Sequence, residues 1–536
     1  MIKESYIMQF TSNDTYKVNK QILKNQNIKS YHCIWPELNI YKIFVSDVTI
    51  LKKYKERSFI KKIFLDKEIS FRKSSSEKNN KKNNKDKQWF HKNINTEKSW
   101  DISSGGVTKN GYDIHVTVLD DGFYNHKDLQ DIYTNNNFDN KDKHGTHVAG
   151  LIANNGKSNF FGVNKKLKII PLFPYPDINN IKTISGLLEE FYSSYKMRKD
   201  FNESKGEIGK YIVSINSSWG FDYEICDGEY SIFNEAYELM GAEGILNCGA
   251  TINKFIDVDS VGDIPSTCKS DFLITVTNSD ESDNIKSSGY GKKNIDISAP
   301  GNRIYSTSKN DEYTYLSGSS MSTPQVTGTI ALMYSCLSES IIKESLENPS
   351  KVALDIKNIL IKFGVDKINS QIYNKILSGG RLNVHKSLLN LNKINYEIEI
   401  NLNTNINWDL IGIYTEINSE IVNFYNLNDI YSFNETYFKP TTLENFKGYW
   451  IKSNDNKKIT IKTKKIQSYK KIFLESNKWH LISGLSGKTN IITESNYILY
   501  EYTINGYKKA NFLFPGKGYW IRLLDNIDSI IELNLY

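Results

Sequence analysis

The chain has 536 residues, of which 39% are hydrophobic, 12% aromatic and 24% charged. At about 150 residues per domain, this length predicts about three or four folding units, and the apolar fraction excludes a chain that is disordered throughout. The 68 basic and 61 acidic residues leave a formal charge of +7. This excess is too small, over so long a chain, to indicate binding to nucleic acid.

Neither a membrane span nor a secretory signal is expected from the hydropathy pattern. No stretch approaches eighteen uninterrupted apolar residues, and Met1–Phe10 lacks the apolar core of a standard signal peptide. The five cysteines, an odd number without a C-x-x-C pair, predict neither a disulfide framework nor a zinc site and suit a cytosolic protein. They are Cys33, Cys226, Cys248, Cys268 and Cys336.

The first 72 residues alternate short β-rich runs with helical patterns, which predicts a small α+β domain over 1–72. The run KSSSEKNNKKNNKD at 73–86 contains no hydrophobic residue. Such a run cannot bury enough surface to offset the entropy of ordering, so a disordered linker is predicted over 73–87.

From residue 88 to about 391, short apolar runs alternate with helical or loop segments, the first of them being His115–Leu119. This alternation predicts an α/β domain over 88–391, with a parallel sheet covered by helices on both faces. Functional residues of such sheets gather at the carboxyl ends of the strands, so the polar residues just after each run matter most.

The remainder, 396–536, is rich in Asn, Ile, Tyr and Trp and contains an internal repeat. The segment WDLI at 408–411 corresponds to WHLI at 479–482, and GYWIK at 448–452 corresponds to GYWIR at 518–522. Two β-rich modules are therefore predicted, over 396–465 and 466–536. Their aromatic residues can fill the module cores or form stacking platforms for carbohydrate.

Three segments lie where the predicted sheet would place functional residues: VLDDG at 118–122, HGTHVAG at 144–150 and GSSMSTP at 318–324. The first ends a strand in a carboxylate and a turn glycine, the second opens an apolar helical stretch, and the third places a serine at a helix N-terminus. Alone, each has a common structural explanation. Together they give the chain order Asp, His, Ser, one of the known orders of a nucleophilic triad.

All three segments resemble the active-site motifs of the subtilisin-like serine proteases, the subtilases. The resemblance implies Asp120 as the triad aspartate, His144 as the general base and Ser320 as the nucleophile of a serine endopeptidase that hydrolyses peptides or proteins. Asp121 is similar to the second acid of the kexin-like D-D-G segment. The resemblance covers about 88–391.

The family's oxyanion-hole asparagine corresponds to Asn253, although Ile252 stands where the family usually has glycine, and another register would place Ala250 there. The substrate-binding edge corresponds to Ser218-Trp219-Gly220, where Trp219 could instead be a core aromatic residue. The opposite wall of the pocket for the side chain before the scissile bond corresponds to Ala250-Thr251-Ile252.

The resemblance implies no cofactor for the chemistry, but several subtilases hold calcium near the segment that contains Asp128 here, so a structural calcium ion is one possibility and a plain surface acid the other. The pattern of residues 1–72 is similar to the propeptide that family members use as intramolecular chaperone and inhibitor. The expected partners are peptide substrates and the chain's own propeptide, with an unknown partner for the C-terminal modules. A catalytically inactive binding protein on the same fold is the alternative function. The cellular location stays open, because a start without a signal peptide favours an intracellular protein whereas a propeptide is typical of exported relatives.

Overall fold

The computed structural model describes residues 4–11, 22–25, 27–72, 74–76, 87–135, 138, 143–176, 181–367, 372, 374–394, 396–401, 407–417, 429–441, 443–453, 458–466, 469–485, 487–503 and 505–535. The chain divides into two compact units, residues 1–391 and 392–536. Within the described ranges, no helix is both long and apolar enough to cross a membrane.

The N-terminal part of the first unit is a four-stranded antiparallel sheet in the order β2-β3-β1-β4. Its strands are β1 (Ser5–Phe10), β2 (Ile28–Trp35), β3 (Ile40–Val45) and β4 (Ile60–Leu65), with the helix Thr49–Lys55 before β4. One face carries Ile7, Trp35 and Phe64 into an apolar cluster shared with the helices Ile184–Glu203 and Ile232–Ala242. Residues 12–21 of the predicted α+β domain lie outside the described residues.

An eight-stranded sheet in the order β17-β18-β14-β13-β11-β9-β7-β8 forms the centre of the unit. Its pairs are parallel except β17 with β18. The strands of this part, together with two short segments that precede it, are β5 (Ser70–Phe71), β6 (Ser75–Ser76), β7 (Ile114–Leu119), β8 (Lys168–Leu172), β9 (Tyr211–Ser217), β10 (Trp219–Asp222), β11 (Leu246–Ala250), β12 (Asp263–Ile264), β13 (Leu273–Ser279), β14 (Ile297–Pro300), β15 (Ile304–Thr307), β16 (Tyr313–Ser317), β17 (Val365–Asp366) and β18 (Arg381–Leu382).

Helices pack around this sheet, as the alternating sequence pattern predicts. They are Trp89–Asn93, Thr96–Ser99, His144–Ile152, Ile184–Glu203, Ile232–Ala242, Val258–Val261, Ser319–Cys336, Glu339–Glu347, Pro349–Lys362 and Val384–Leu389, with short 3₁₀ turns at Pro36–Leu38, Gly228–Ser231, Lys309–Asp311 and Leu391–Lys393. The helix Ser319–Cys336 is buried almost throughout because it packs against the central sheet. The predicted α/β class is confirmed.

The described residues of the second unit form mainly strands, and its two halves have the same strand order. A three-stranded sheet β19-β25-β21 and a four-stranded sheet β20-β24-β22-β23 are followed by β26-β32-β28 and β27-β31-β29-β30. The strands are β19 (Tyr396–Asn401), β20 (Asn407–Gly412), β21 (Thr415–Ile417), β22 (Asp429–Asn434), β23 (Thr436–Phe438), β24 (Gly448–Ser453), β25 (Lys458–Ile466), β26 (Tyr469–Leu474), β27 (His480–Ser483), β28 (Thr489–Ile492), β29 (Tyr497–Thr503), β30 (Gly506–Lys509), β31 (Gly518–Leu523) and β32 (Ser529–Leu535). Trp450 and Trp520 of the repeated GYW segments are buried in one apolar cluster with Leu410 and Leu481.

The structure of the first unit differs from two predictions made from the sequence, one about the cysteines and one about the linker. Cys226 and Cys268 form a disulfide whose Cα atoms lie 4.8 Å apart, although no cysteine pairing was expected. Their separation of 42 residues has no sequence signature, because only the fold brings the two segments together. The predicted disordered linker is also wrong at its start, since Ser75 and Ser76 form strand β6, paired with Ser317 and Leu316.

Candidate active site

The carboxyl end of β7 delivers Asp120 to the start of the helix His144–Ile152. Asp120 is fully buried, and its Oδ1 lies 2.7 Å from His144 Nδ1. The backbone N–H of Asp121 donates to the same carboxylate oxygen at 2.8 Å. This contact favours the tautomer with Nδ1–H toward the carboxylate, which leaves Nε2 as the ring nitrogen that can accept a proton.

The other histidine of the HGTH segment has a different surrounding. His147 is fully buried, and its Nε2 lies 3.1 Å from the Ile304 carbonyl and 3.2 Å from the Thr314 carbonyl. Burial, and then the neighbouring His144, lower the pKa of His147 to about 3. This neutral side chain therefore ties the helix to strands β15 and β16, a structural role.

Ser320 is the second residue of the helix Ser319–Cys336, and it is fully buried. Its Oγ has no hydrogen-bond partner among the described residues. Gly318, just before this helix, has a φ of +155°, and a Cβ there would lie 3.1 Å from the Asn253 amide group. The tight approach explains why glycine precedes the two serines.

Asn253 lies beside this helix start. Its Oδ1 accepts from the Ser319 backbone N–H at 2.9 Å and from the Ser319 hydroxyl at 3.0 Å. Ala250, the residue of the other register, ends strand β11 and pairs with Val276 in the sheet. Of the two alternatives, Asn253 is the one that contacts Ser319, the residue before Ser320. Its role in an oxyanion hole stays a prediction.

An extended segment of the same chain crosses this site. Phe71 pairs with Trp219 and Ser70 with Gly220 in antiparallel register, and the Arg72 N–H donates to the Ser218 carbonyl at 2.8 Å. On its other side, the Ile69 N–H donates to the Lys182 carbonyl at 2.9 Å. Strand β5 therefore lies between two chain segments, as a bound peptide does in strand addition.

Beyond Arg72 the segment passes the histidine. Ser74 Oγ lies 3.0 Å from His144 Nε2 and 3.3 Å from Met321 Sδ, next to Ser320. Strand β6 then continues the segment along β16. A hydroxyl from the N-terminal segment thus occupies a position beside the nitrogen that would have to accept a proton from Ser320.

The remaining predicted site residues are placed as follows. The Trp219 side chain is fully buried and packs against Phe233 at 4.9 Å between ring centroids, so its backbone forms the edge while its ring belongs to the core. Thr251 Oγ1 and the Ile252 N–H both bond Asp263, at 3.0 and 3.2 Å. Gly220 lies against the Arg72 side chain, and Thr251 and Ile252 bond Asp263, the acid with which Arg72 is paired.

Asp128 is buried rather than a surface acid. Its carboxylate accepts from the Tyr313 hydroxyl, and its backbone N–H bonds His126 Nδ1 at 3.1 Å. The described residues contain no cluster of three or more His, Cys, Asp or Glu side chains arranged for a metal ion. Calcium binding at Asp128 stays a prediction. Asp121 forms an ion pair with Lys182 at 2.7 Å and lies at the rim of the site.

Comparison with known proteins places this site in a family. The model of the subtilase family matches residues 111–362, which include Asp120, His144 and Ser320. Over residues 111–362, the chain is therefore similar to the subtilase family. The kexin-like aspect of the D-D-G segment stays a prediction.

Individual relatives agree with this assignment. Subtilisin-like protease 2 of Plasmodium falciparum is 30% identical over 206 residues, which cover 38% of this chain and 14% of that protein. The thermophilic serine proteinase of Bacillus sp. (strain AK1) is 28% identical over 305 residues, covering 54% of this chain and 67% of that protein. The chain thus spans only a small part of the first of these relatives.

Among solved structures, the epidermin leader peptide processing serine protease of Staphylococcus aureus superposes with a TM-score of 0.54 at 20% identity. The match covers 72% of this chain and 98% of that one. It shows a common fold.

Four residues around the site were not anticipated from the sequence: Arg72, Ser74, Asp222 and Asp263. Each lies in a segment without a motif, and the two acids are separated by 41 positions (263 minus 222). In the sequence, Arg72 is only a basic residue before a polar run, and Asp263 is only an acid near a proline. Neither feature is specific enough to predict a binding pocket.

Proposed function

We propose that the chain is a serine endopeptidase that acts through Asp120, His144 and Ser320. The observation that carries the proposal is the buried Asp120–His144 hydrogen bond of 2.7 Å beside the helix that begins at Ser319. In the reaction, Ser320 Oγ attacks the peptide carbonyl while His144 Nε2 takes its proton and then returns it to the leaving amine. Asp120 holds the imidazole tautomer and stabilises the imidazolium that forms.

The oxyanion of the tetrahedral intermediate needs donors placed in advance. Asn253, whose Oδ1 bonds Ser319 at the start of the helix Ser319–Cys336, is the side chain that we assign as the amide donor. The N-terminal N–H groups of that helix supply a second set of donors. The hydroxyl of Ser319 further fixes this arrangement through a 2.5 Å bond to the Thr251 carbonyl.

We infer further that the chain is made as a self-inhibited precursor, with residues 1–72 as the inhibitory domain. Support comes from the extended segment over the site and from ionic contacts between the two parts. Glu235 receives hydrogen bonds from Gln9, Lys61 and Lys62 at 2.7, 2.8 and 3.0 Å. Asp66 accepts from the Ser185 backbone N–H at 2.9 Å, at the start of the helix Ile184–Glu203.

Labelling with a fluorophosphonate probe tests the proposed chemistry, because only an activated serine reacts. After exposure to trypsin to remove the N-terminal domain, wild-type protein should be labelled at Ser320, as mapped by peptide mass spectrometry. His144→Ala should label at least 10³-fold more slowly, since loss of the base removes most of the triad's activation. Equal labelling of both proteins, or labelling elsewhere, would contradict the assignment.

A further inference from the structure

The side chain of Arg72 lies in a pocket formed by Gly220, Asp222, Asp263 and Ile264. Only 5% of this side chain is exposed. Its Nη1 is paired with Asp222, while its Nη2 is paired with Asp263 and donates to the Ile264 carbonyl at 2.8 Å. The guanidinium group thus donates to two carboxylates and one carbonyl. Only arginine has enough donors in a fixed plane to bond all three at once.

Asp263 is built into the pocket as a fixed, fully buried carboxylate. Its Oδ2 accepts from Thr251 Oγ1 at 3.0 Å, the Ile252 N–H at 3.2 Å and Ser266 Oγ at 2.6 Å. Burial raises the pKa of Asp263, and the adjacent Arg72 opposes that rise. A buried carboxylate that has only neutral partners apart from Arg72 is costly, so the pocket favours any occupant that brings a cation.

Gly220 shapes the pocket for a flat group. A Cβ on this residue would lie 2.0 Å from Arg72 Nη2 and 2.3 Å from the Ile264 carbonyl oxygen. The guanidinium therefore passes directly over the bare Cα of Gly220. Any side chain at this position would exclude it.

The backbone register identifies the bond that follows this side chain as the scissile bond. Among the described residues, Arg72 is the last of this segment that bonds to the Ser218–Gly220 edge, and Ser74, two residues later, lies 3.0 Å from His144 Nε2. In the sequence, the peptide bond that follows Arg72 comes between these two residues. We therefore infer that it is the bond presented to the catalytic residues.

We propose that this pocket makes the enzyme specific for arginine before the scissile bond, and that its first substrate is its own Arg72–Lys73 bond. This inference rests on the proposed function. Ser320 Oγ forms an ester with the Arg72 carbonyl carbon, the C–N bond breaks, and the Lys73 nitrogen leaves with the proton that His144 took from Ser320. Water, the co-reactant, then hydrolyses the ester, leaving a carboxylate on Arg72 and regenerating Ser320.

Lysine should be a poorer occupant because a single ammonium group cannot bond both carboxylates and the carbonyl at once. A neutral side chain should be poorer still, because it leaves Asp263 buried and unpaired. Pockets built to bond a polar substrate group reject analogues without it by large factors, up to about 10⁴-fold or more. Such discrimination is measurable with peptides that differ at one position.

The test uses the full chain after exposure to trypsin, so that wild type and variants are all freed of the N-terminal domain, and a peptide with the sequence of residues 68–76, EISFRKSSS. Variants of this peptide carry lysine, glutamine or leucine in place of the arginine. Enzyme variants are Asp263→Asn, Asp222→Asn at the exposed mouth of the pocket, and Gly220→Ala. Glu224→Gln is the matched control, since this exposed acid lies close to Asp222 in sequence and outside the pocket.

We expect kcat/KM for the arginine peptide to exceed that for glutamine and leucine by at least 100-fold. Asp263→Asn should lower kcat/KM for the arginine peptide roughly 30-fold to several-thousand-fold, the range for truncation of one partner of a buried charge pair. Asp222→Asn should lower it less, because Asp222 is 40% exposed. Glu224→Gln should change kcat/KM for either peptide by less than threefold, and the circular dichroism spectra of both pocket variants should match that of the wild type, which excludes a folding defect.

Hydrolysis without preference for arginine, or cleavage of the peptide at another bond, would overturn this inference while leaving the proposed function intact. Equal losses on the arginine and leucine peptides in Asp222→Asn would also overturn it. Absence of both hydrolysis and probe labelling in the wild type would contradict the proposed function itself, and the inference with it.

Discussion

Glu235 accepts hydrogen bonds from three residues of the N-terminal domain. Neutralising Glu235 should therefore weaken the binding of that domain to the rest of the chain. In Glu235→Gln two ion pairs are lost. The Lys62 side chain is only 13% exposed and that of Glu235 23%, so this pair is only partly screened by solvent, whereas Lys61 is 44% exposed and contributes little. Together we expect a loss of about 2 kcal/mol, mostly from the Lys62 pair.

A loss of this size corresponds to about 30-fold weaker association, expressed mainly as faster dissociation. The assay dilutes the self-cleaved complex into fluorophosphonate probe and follows the rate at which Ser320 becomes labelled as the N-terminal domain leaves. Glu238→Gln, on the exposed side of the same helix, is the matched control and should behave as wild type. Identical release from Glu235→Gln and wild type would refute the interpretation of this contact.

The same contact gives the release a pH dependence. Burial acts to raise the pKa of Glu235, but hydrogen bonds from Lys61, Lys62 and Gln9 outweigh it and hold the pKa below the ordinary value of 4.5. A carboxyl whose pKa is depressed in the docked state stabilises that state above its undocked pKa, and this stabilisation is lost as pH falls through the lower docked value. Release should therefore accelerate in acid below about pH 4.5 in the wild type, and less so in Glu235→Gln.

Three further outcomes are expected. Asn253→Ala should lower kcat by about 10² to 10³ with little change in KM in steady-state peptide assays, because its amide acts on charge that develops only in the transition state; an unchanged kcat would contradict its role. His144→Ala should abolish turnover whereas His147→Asn should retain most of it and lower the melting temperature, and equal losses of turnover would point to a misassigned base. Replacing Cys226 and Cys268 by alanine should lower the free energy of unfolding by about 4 kcal/mol in urea titration, since the bridge closes a loop with a sequence separation of 42 residues; an unchanged midpoint and slope would exclude a stabilising bridge.

The fold class and the elements of the first unit could be predicted because they depend on local patterns. Short apolar runs that alternate with helical segments specify a parallel sheet, and its carboxyl edge then indicates where Asp120 and Ser218 should lie. The helix start at Ser319 follows from small residues before an apolar stretch. Each of these signals is contained within about ten residues.

The pocket could not be predicted in the same way, because its parts come from separate segments. Asp222 and Asp263 come together only because strands β10 and β12 pair, which places both carboxylates beside one guanidinium group. The start of the polar run at 73–76 was expected to be disordered because it lacks apolar residues. Ser75 and Ser76 are nevertheless ordered, because the exposed edge of β16 satisfies their backbone hydrogen bonds.

The central claim, a serine endopeptidase held by its own N-terminal segment until it cuts that segment, is tested most directly by intact-mass analysis of wild type and Ser320→Ala expressed side by side. The wild type should separate into residues 1–72 and a chain that begins at Lys73, while Ser320→Ala remains full length. Full-length protein in both samples, from a wild type that nevertheless hydrolyses added peptides, would contradict the claim.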